Sequence, residues 1–138
     1  NRADRKDCMQ TDFTIFRQLL QYELHGAERY RRFVSLVMVS SDNGLPGVRN
    51  YLGTHVRDTD VLANFDHSVA VLMGETDTPG AMIAIERYKE LFNNQVDLRF
   101  SVVTYPKDGG KPESLVQTAY RRLSEAKSAT SGTIVAND

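Results

Sequence analysis

Arg57-Asp58-Thr59-Asp60 sets a guanidinium and a carboxylate three residues apart, directly ahead of an apolar run. A guanidinium brings hydrogen-bond donors and a carboxylate brings acceptors. At this spacing the two often spend them on each other, as a surface ion pair worth little to stability. Other chemistry-bearing residues are scattered. His25, His55 and His67 fall on different elements, where an exposed or capping histidine is the ordinary reading and a metal ligand the rare one. Asp66, His67 and Ser68 have the residue types of a hydrolytic triad. As neighbours on one tight turn they point in different directions, so no triad forms. There is no Walker loop, no HExxH and no paired-cysteine zinc pattern. Asp97 and Asp108 flank a strand and a turn, and solvation accounts for both.

The elements around Arg57 and Asp60 follow from periodicity. Val61–Phe65 and Val69–Met73 are β-branched and apolar on either side of Asp66, His67 and Ser68, which is a hairpin signal. Upstream, Thr11 or Asp12 caps a helix running to about Arg32. Phe13, Phe16, Leu20, Leu24 and Ala27 form its apolar face. Phe33–Val39 is nearly unbroken apolar sequence and reads as a strand buried on both faces. Turn residues fill Ser40–Gly47, and Val48–Val56 is a short helix carrying Gly53. After the hairpin, Thr78 or Pro79 opens a helix to about Phe92. Val96–Tyr105 is a strand, Pro112 starts a long helix, and Thr133–Ala136 is a short last strand. The order α-β-α-β-β-α-β-α-β implies an α/β (α+β) fold with a mixed, mostly antiparallel central sheet flanked by helices.

Composition bounds the function. At 138 residues the chain holds one domain. With 17 basic and 18 acidic side chains there is no electrostatic case for DNA, RNA or a membrane surface as partner. Cys8 is the only cysteine, which suits a reducing cytoplasmic setting, and no apolar run approaches the ~20 residues of a membrane span. The chain starts at Asn1. Its polar residues 1–10 read as the end of a linker or stalk, so 11–138 is expected to be a domain cut from a longer protein.

At the hairpin the chain resembles the GGDEF domain, the diguanylate cyclase fold. That family carries R-x-x-D, five residues, then GGDEF and an apolar strand. Here Arg57-x-x-Asp60 is followed by VLANF, then DHSV and AVLM. LLQYELHGAERYRRFVSLVMV is similar to the family's first helix and strand. FSVVTYPKDGG is similar to its later strand and turn, and LVQTAYRRLSEAK to its last helix, with Tyr120 in place of the usual aspartate. The resemblance runs from Phe13 nearly to the end.

The departures carry as much meaning. Active members hold two metal ions on carboxylates at the end of the first strand and in the signature turn, and phosphoryl transfer needs those ions. Here those positions are Ser40, with Asp42 alone nearby, and Ser68. The signature glycines are gone, and the segment that holds the substrate guanine is missing between SSDNGLPG and the second helix. The resemblance therefore implies a degenerate GGDEF domain without catalytic residues, metal or cofactor.

What the resemblance leaves is the family's product-binding site for cyclic di-GMP. It implies Arg57 and Asp60 as ligand residues, with Arg87, in AIERY, as the helix-borne arginine. A guanidinium matches the O6/N7 edge of guanine bidentately, and a carboxylate accepts from N1 and N2. The pair is expected at a surface turn, where alanine substitutions leave the fold intact. The implied partners are cyclic di-GMP, other domains of a longer signalling protein and a second copy of the chain. The implied location is cytoplasmic, whether free or as the cytoplasmic part of a membrane-associated protein. Two other readings stand beside this one. In the first, a ligand-free dimerisation or docking module uses Arg57 and Asp60 as an ordinary salt bridge. In the second, a surviving enzyme holds magnesium on Asp42 and Asp66.

Overall fold

A computed structural model describes residues 13–65, 67–93 and 95–138. The stalk at 1–10, Cys8, the caps Thr11 and Asp12, and Asp66 lie outside the described residues. The chain forms α1 (Phe13–Tyr30), β1 (Val34–Ser40), α2 (Leu45–His55), β2 (Val61–Phe65) and β3 (Ser68–Gly74). It continues with α3 (Thr78–Phe92), β4 (Arg99–Tyr105), α4 (Pro112–Lys127) and β5 (Ile134–Val135).

The strands make one sheet in the order β2-β3-β1-β4-β5. β1 is central and every one of its residues is buried, as an unbroken apolar strand requires. It runs antiparallel to both β3 and β4, and β2 is antiparallel to β3. Only the short β5 is parallel to its neighbour, β4. Alternate side chains feed two cores. Leu36 and Met38 meet Phe16, Leu20 and Leu24 of α1 and Leu115, Ala119 and Leu123 of α4. Val37 and Val39 meet Val48 and Leu52 of α2 and Ala81 and Ile85 of α3. The period of two along β1 thus produces a helix–sheet–helix sandwich. No helix among the described residues is long and apolar enough to cross a membrane.

Local chemistry sets several boundaries. α2 starts three residues earlier than its apolar pattern suggests. Pro46 sits in its first turn, where a missing N–H costs nothing, and Gly44 N–H is bonded to Ser41 Oγ at 3.0 Å. α3 is capped by Asp77, whose Oδ1 accepts from Gly80 N–H at 2.9 Å, and it ends at Asn93 in the left-handed region. β4 begins at Arg99 rather than at Val96. Ser68 is the first residue of β3, paired with Phe65, and not part of the bend. Phe13, expected inside, is 45% exposed at the first position of α1, with its ring centroid 6.3 Å from that of Phe65.

Candidate functional site

The site lies where α2 hands over to β2. Val56 leaves the helix in extended conformation, with its N–H still on Leu52 O at 3.0 Å. The next four residues form a turn closed by Asp60 N–H to Arg57 O, 3.0 Å. Asp60 Oδ2 accepts the Arg57 backbone N–H at 3.0 Å, and Oδ1 accepts Arg57 Nε at 3.2 Å and Nη2 at 2.9 Å. The two residues therefore form an ion pair within one turn. The pair is not the surface feature expected from the sequence. The Asp60 side chain is only 2% exposed, whereas that of Arg57 is 54% exposed. Burial opposes the charge on Arg57, but the hydrogen bond to Asp60 is the larger effect and raises the guanidinium above its ordinary value.

A second segment meets the pair from β3. Val61 pairs with Leu72, so continuing that antiparallel register brings Arg57 opposite Thr76. Arg57 Nη2 donates to Thr76 Oγ1 at 2.9 Å and lies 3.4 Å from Gly74 O, while Thr76 Oγ1 itself donates to Gly74 O at 2.9 Å. Glu75, at φ 52, turns the chain between them. Thr76 and Tyr88 were not singled out from sequence. The hairpin register was the available signal for Thr76, but its exact value depends on the turn length.

Arg57, Asp60 and Arg87 line one cavity of about 440 Å³, together with His55, Thr76 and Tyr88. Tyr88, on the inward face of α3, has its hydroxyl pushed up to about 12. Burial is the main cause and the Asp60 charge adds to it, against the pull of Arg57 and Arg87. The phenol therefore stays protonated at neutral pH. Arg87 is exposed and makes no ion pair or hydrogen bond among the described residues. A cavity of this size, with two arginines and a buried carboxylate, suits a polar ligand of nucleotide size.

The hairpin end of the sheet is different. Ser40 Oγ donates to His67 O at 3.5 Å. Asp42 is exposed and paired with Arg99 at 3.5 Å, and Arg99 also pairs with Asp97. Among the described residues no three His, Cys, Asp or Glu side chains converge, and Asp66 lies outside them. Solvation does not account for Asp108, whose side chain is 7% exposed and bonded to the buried Arg122 at 3.0 Å.

No protein-family model and no curated protein matches the chain. Solved structures do. The GGDEF domain of TpbB (YfiN) from Pseudomonas aeruginosa superposes with a TM-score of 0.86 at 15% identity, over 94% of this chain and 91% of that one. The fold is that of a GGDEF domain. The active GGEEF domain of a diguanylate cyclase from Vibrio cholerae gives 0.74 at 12% identity, covering 85% and 90%. The GGDEF domain of FimX from P. aeruginosa gives 0.74 at 18% identity, covering 93% and 94%. On the GGDEF fold, Arg57 and Asp60 sit at the start of the hairpin's first strand, with the hairpin turn at its far end. The cavity and the hairpin turn thus occupy opposite ends of one strand pair.

Proposed function

We propose that this GGDEF-fold domain is a non-catalytic receptor for cyclic di-GMP, bound in the cavity that holds Arg57, Asp60 and Arg87. One observation carries the reading: three side chains from two separate segments converge on one cavity of about 440 Å³. Two arginines there can meet the acceptor edge of guanine and a phosphate, the two groups that define this ligand. The absence of catalysis has separate support. β1 and α2 are joined by only four residues, 41–44, which leaves no room for a substrate-guanine segment. The position of a metal-binding carboxylate at the end of β1 is Ser40, and Asp42 beside it is engaged by Arg99. The domain would act by favouring one of two states of a larger assembly, with other domains or a second copy as partners.

Calorimetry with cyclic di-GMP tests the receptor reading. Absence of heat at high micromolar ligand, with the protein folded, refutes it. Incubation with GTP and magnesium tests the other half, and sustained cyclic dinucleotide formation overturns it. The docking-module reading keeps one specific observation in its favour: Arg57 and Asp60 satisfy each other without a ligand. It requires Arg57→Ala to leave partner binding and regulation unchanged.

A further inference from the structure

Resting on the receptor reading, we propose that His55 also binds the ligand: its Nε2 accepts the 2′-hydroxyl of the ribose. The cavity then selects ribose over a sugar that lacks this hydrogen.

His55 is the last residue of α2, two before Arg57, and it lines the cavity that holds Arg57, Asp60 and Arg87. The surroundings of Nδ1 fix the tautomer. Nδ1 lies 2.8 Å from Tyr51 O, a carbonyl that can only accept. It lies 2.9 Å from Thr54 Oγ1, whose own hydrogen goes to Tyr51 O at 2.9 Å. Both neighbours present acceptors, so the hydrogen must sit on Nδ1. In the neutral ring Nε2 then carries a lone pair, and it has no hydrogen-bond partner among the described residues. The ring is also held in plane. It stacks on Tyr51 with 5.0 Å between centroids and 18° between planes, and Tyr51 packs against Phe92 at 5.1 Å. The lone pair is thus oriented before a ligand arrives, and little rotamer freedom is lost on binding.

The rest of the cavity wall shows which ligand group this acceptor suits. Arg57 and Arg87 carry donors only, so they answer the O6, N7 and phosphate oxygens of the dinucleotide. Asp60 is there for the N1 and N2 hydrogens of guanine. Of the other carboxylates on the wall, Glu75 pairs with Arg32 at 3.2 Å, and Asp77 Oδ1 takes Gly80 N–H at 2.9 Å. The 2′-hydroxyl is the remaining donor of the ligand, and His55 offers it a neutral acceptor already in place. The 2′-hydroxyl is also the group by which a protein tells ribose from deoxyribose.

Calorimetry on the intact domain tests this at pH 8, above the range in which histidine ordinarily titrates. The ligands are cyclic di-GMP and its 2′-fluoro analogue, in which fluorine keeps the sugar pucker and removes the hydrogen. The proteins are the wild type and His55→Phe, whose ring can keep the stack on Tyr51. In the wild type the fluoro analogue is expected to bind about fivefold or more weakly. In His55→Phe the two ligands are expected to bind within about twofold of each other. A packing role alone would weaken both ligands together and leave their ratio unchanged. Equal binding of the two ligands by the wild type would overturn the role given to His55, whether or not the variant folds. A preference that survives in His55→Phe would overturn it too. A wild-type protein that binds neither ligand would refute the receptor reading itself, an outcome distinct from binding without sugar selectivity.

Discussion

Replacing Arg57 with alanine should destabilise the fold more than changing its buried partner does. In Arg57→Ala the Asp60 carboxylate loses both guanidinium bonds and keeps only the backbone N–H of residue 57, while its side chain stays 2% exposed. Stranding a fully buried charge costs about 3–5 kcal/mol. The guanidinium is 54% exposed, so water already screens the pair, and a cost of about 2 kcal/mol is the better figure. In Asp60→Asn the side chain keeps its volume and an acceptor oxygen, and Arg57 can turn to water, so about 1 kcal/mol or less is expected. Thermal and urea denaturation followed by circular dichroism would read the difference, with Tm lower by about 5–10 °C for Arg57→Ala. The double variant is decisive. Without a carboxylate to strand, Arg57→Ala/Asp60→Asn should be more stable than Arg57→Ala by about 1 kcal/mol. A double variant no more stable than the single one would refute the stranded-charge reasoning.

Cyclic di-AMP should bind at least tens of times more weakly than cyclic di-GMP, because adenine presents an amino donor where the arginines need O6. Competition calorimetry reads this, and equal affinities would exclude base reading by either arginine. Arg87→Ala should weaken cyclic di-GMP binding about tenfold and leave Tm unchanged, since the side chain is exposed and makes no ion pair or hydrogen bond among the described residues. A second, structural ion-pair group should respond to acid. Burial alone would push the Asp108 carboxyl up, but Arg122 and the Thr104 N–H outweigh it and hold it below the ordinary range. Arg121 and Arg122 bring Asp138 down to about 2. Both are depressed carboxylates, so their stabilisation is complete above the ordinary carboxylate range, near pH 4, and is lost as pH falls through the folded values. Carboxyl NMR titration should show Asp138 changing with a midpoint near 2. A midpoint near 4 would mean that the clamp on the chain's last residues does not form in solution.

The element order and the face assignments were legible in the sequence because they rest on local periodicity. Val34–Ser40 had to be central, since only a strand covered on both faces tolerates such a run of apolar residues. Two strands flanking a short polar bend had to pair as a hairpin, and the four helices had to bury one stripe each. The start of α2 was misplaced because Pro46 and Gly47 read as turn residues, although a proline is equally at home in a first helical turn. That β5 runs parallel to β4 is a matter of chain crossover, on which two residues of apolar sequence are silent. The site divided in the same way. Arg57 and Asp60 were visible from their spacing, but the same spacing describes an exposed pair and a half-buried one. The tertiary structure decided that Asp60 is enclosed while Arg57, held by Asp60 and Thr76, stays half exposed. Arg122 and Asp108 show the same limit: both are charged and unremarkable in sequence, yet they form a buried pair in which Arg122 also bonds Val102 O and Ala136 O. Spacing along a chain sets which groups can meet, whereas desolvation depends on everything packed around them, and that is a property of the tertiary structure.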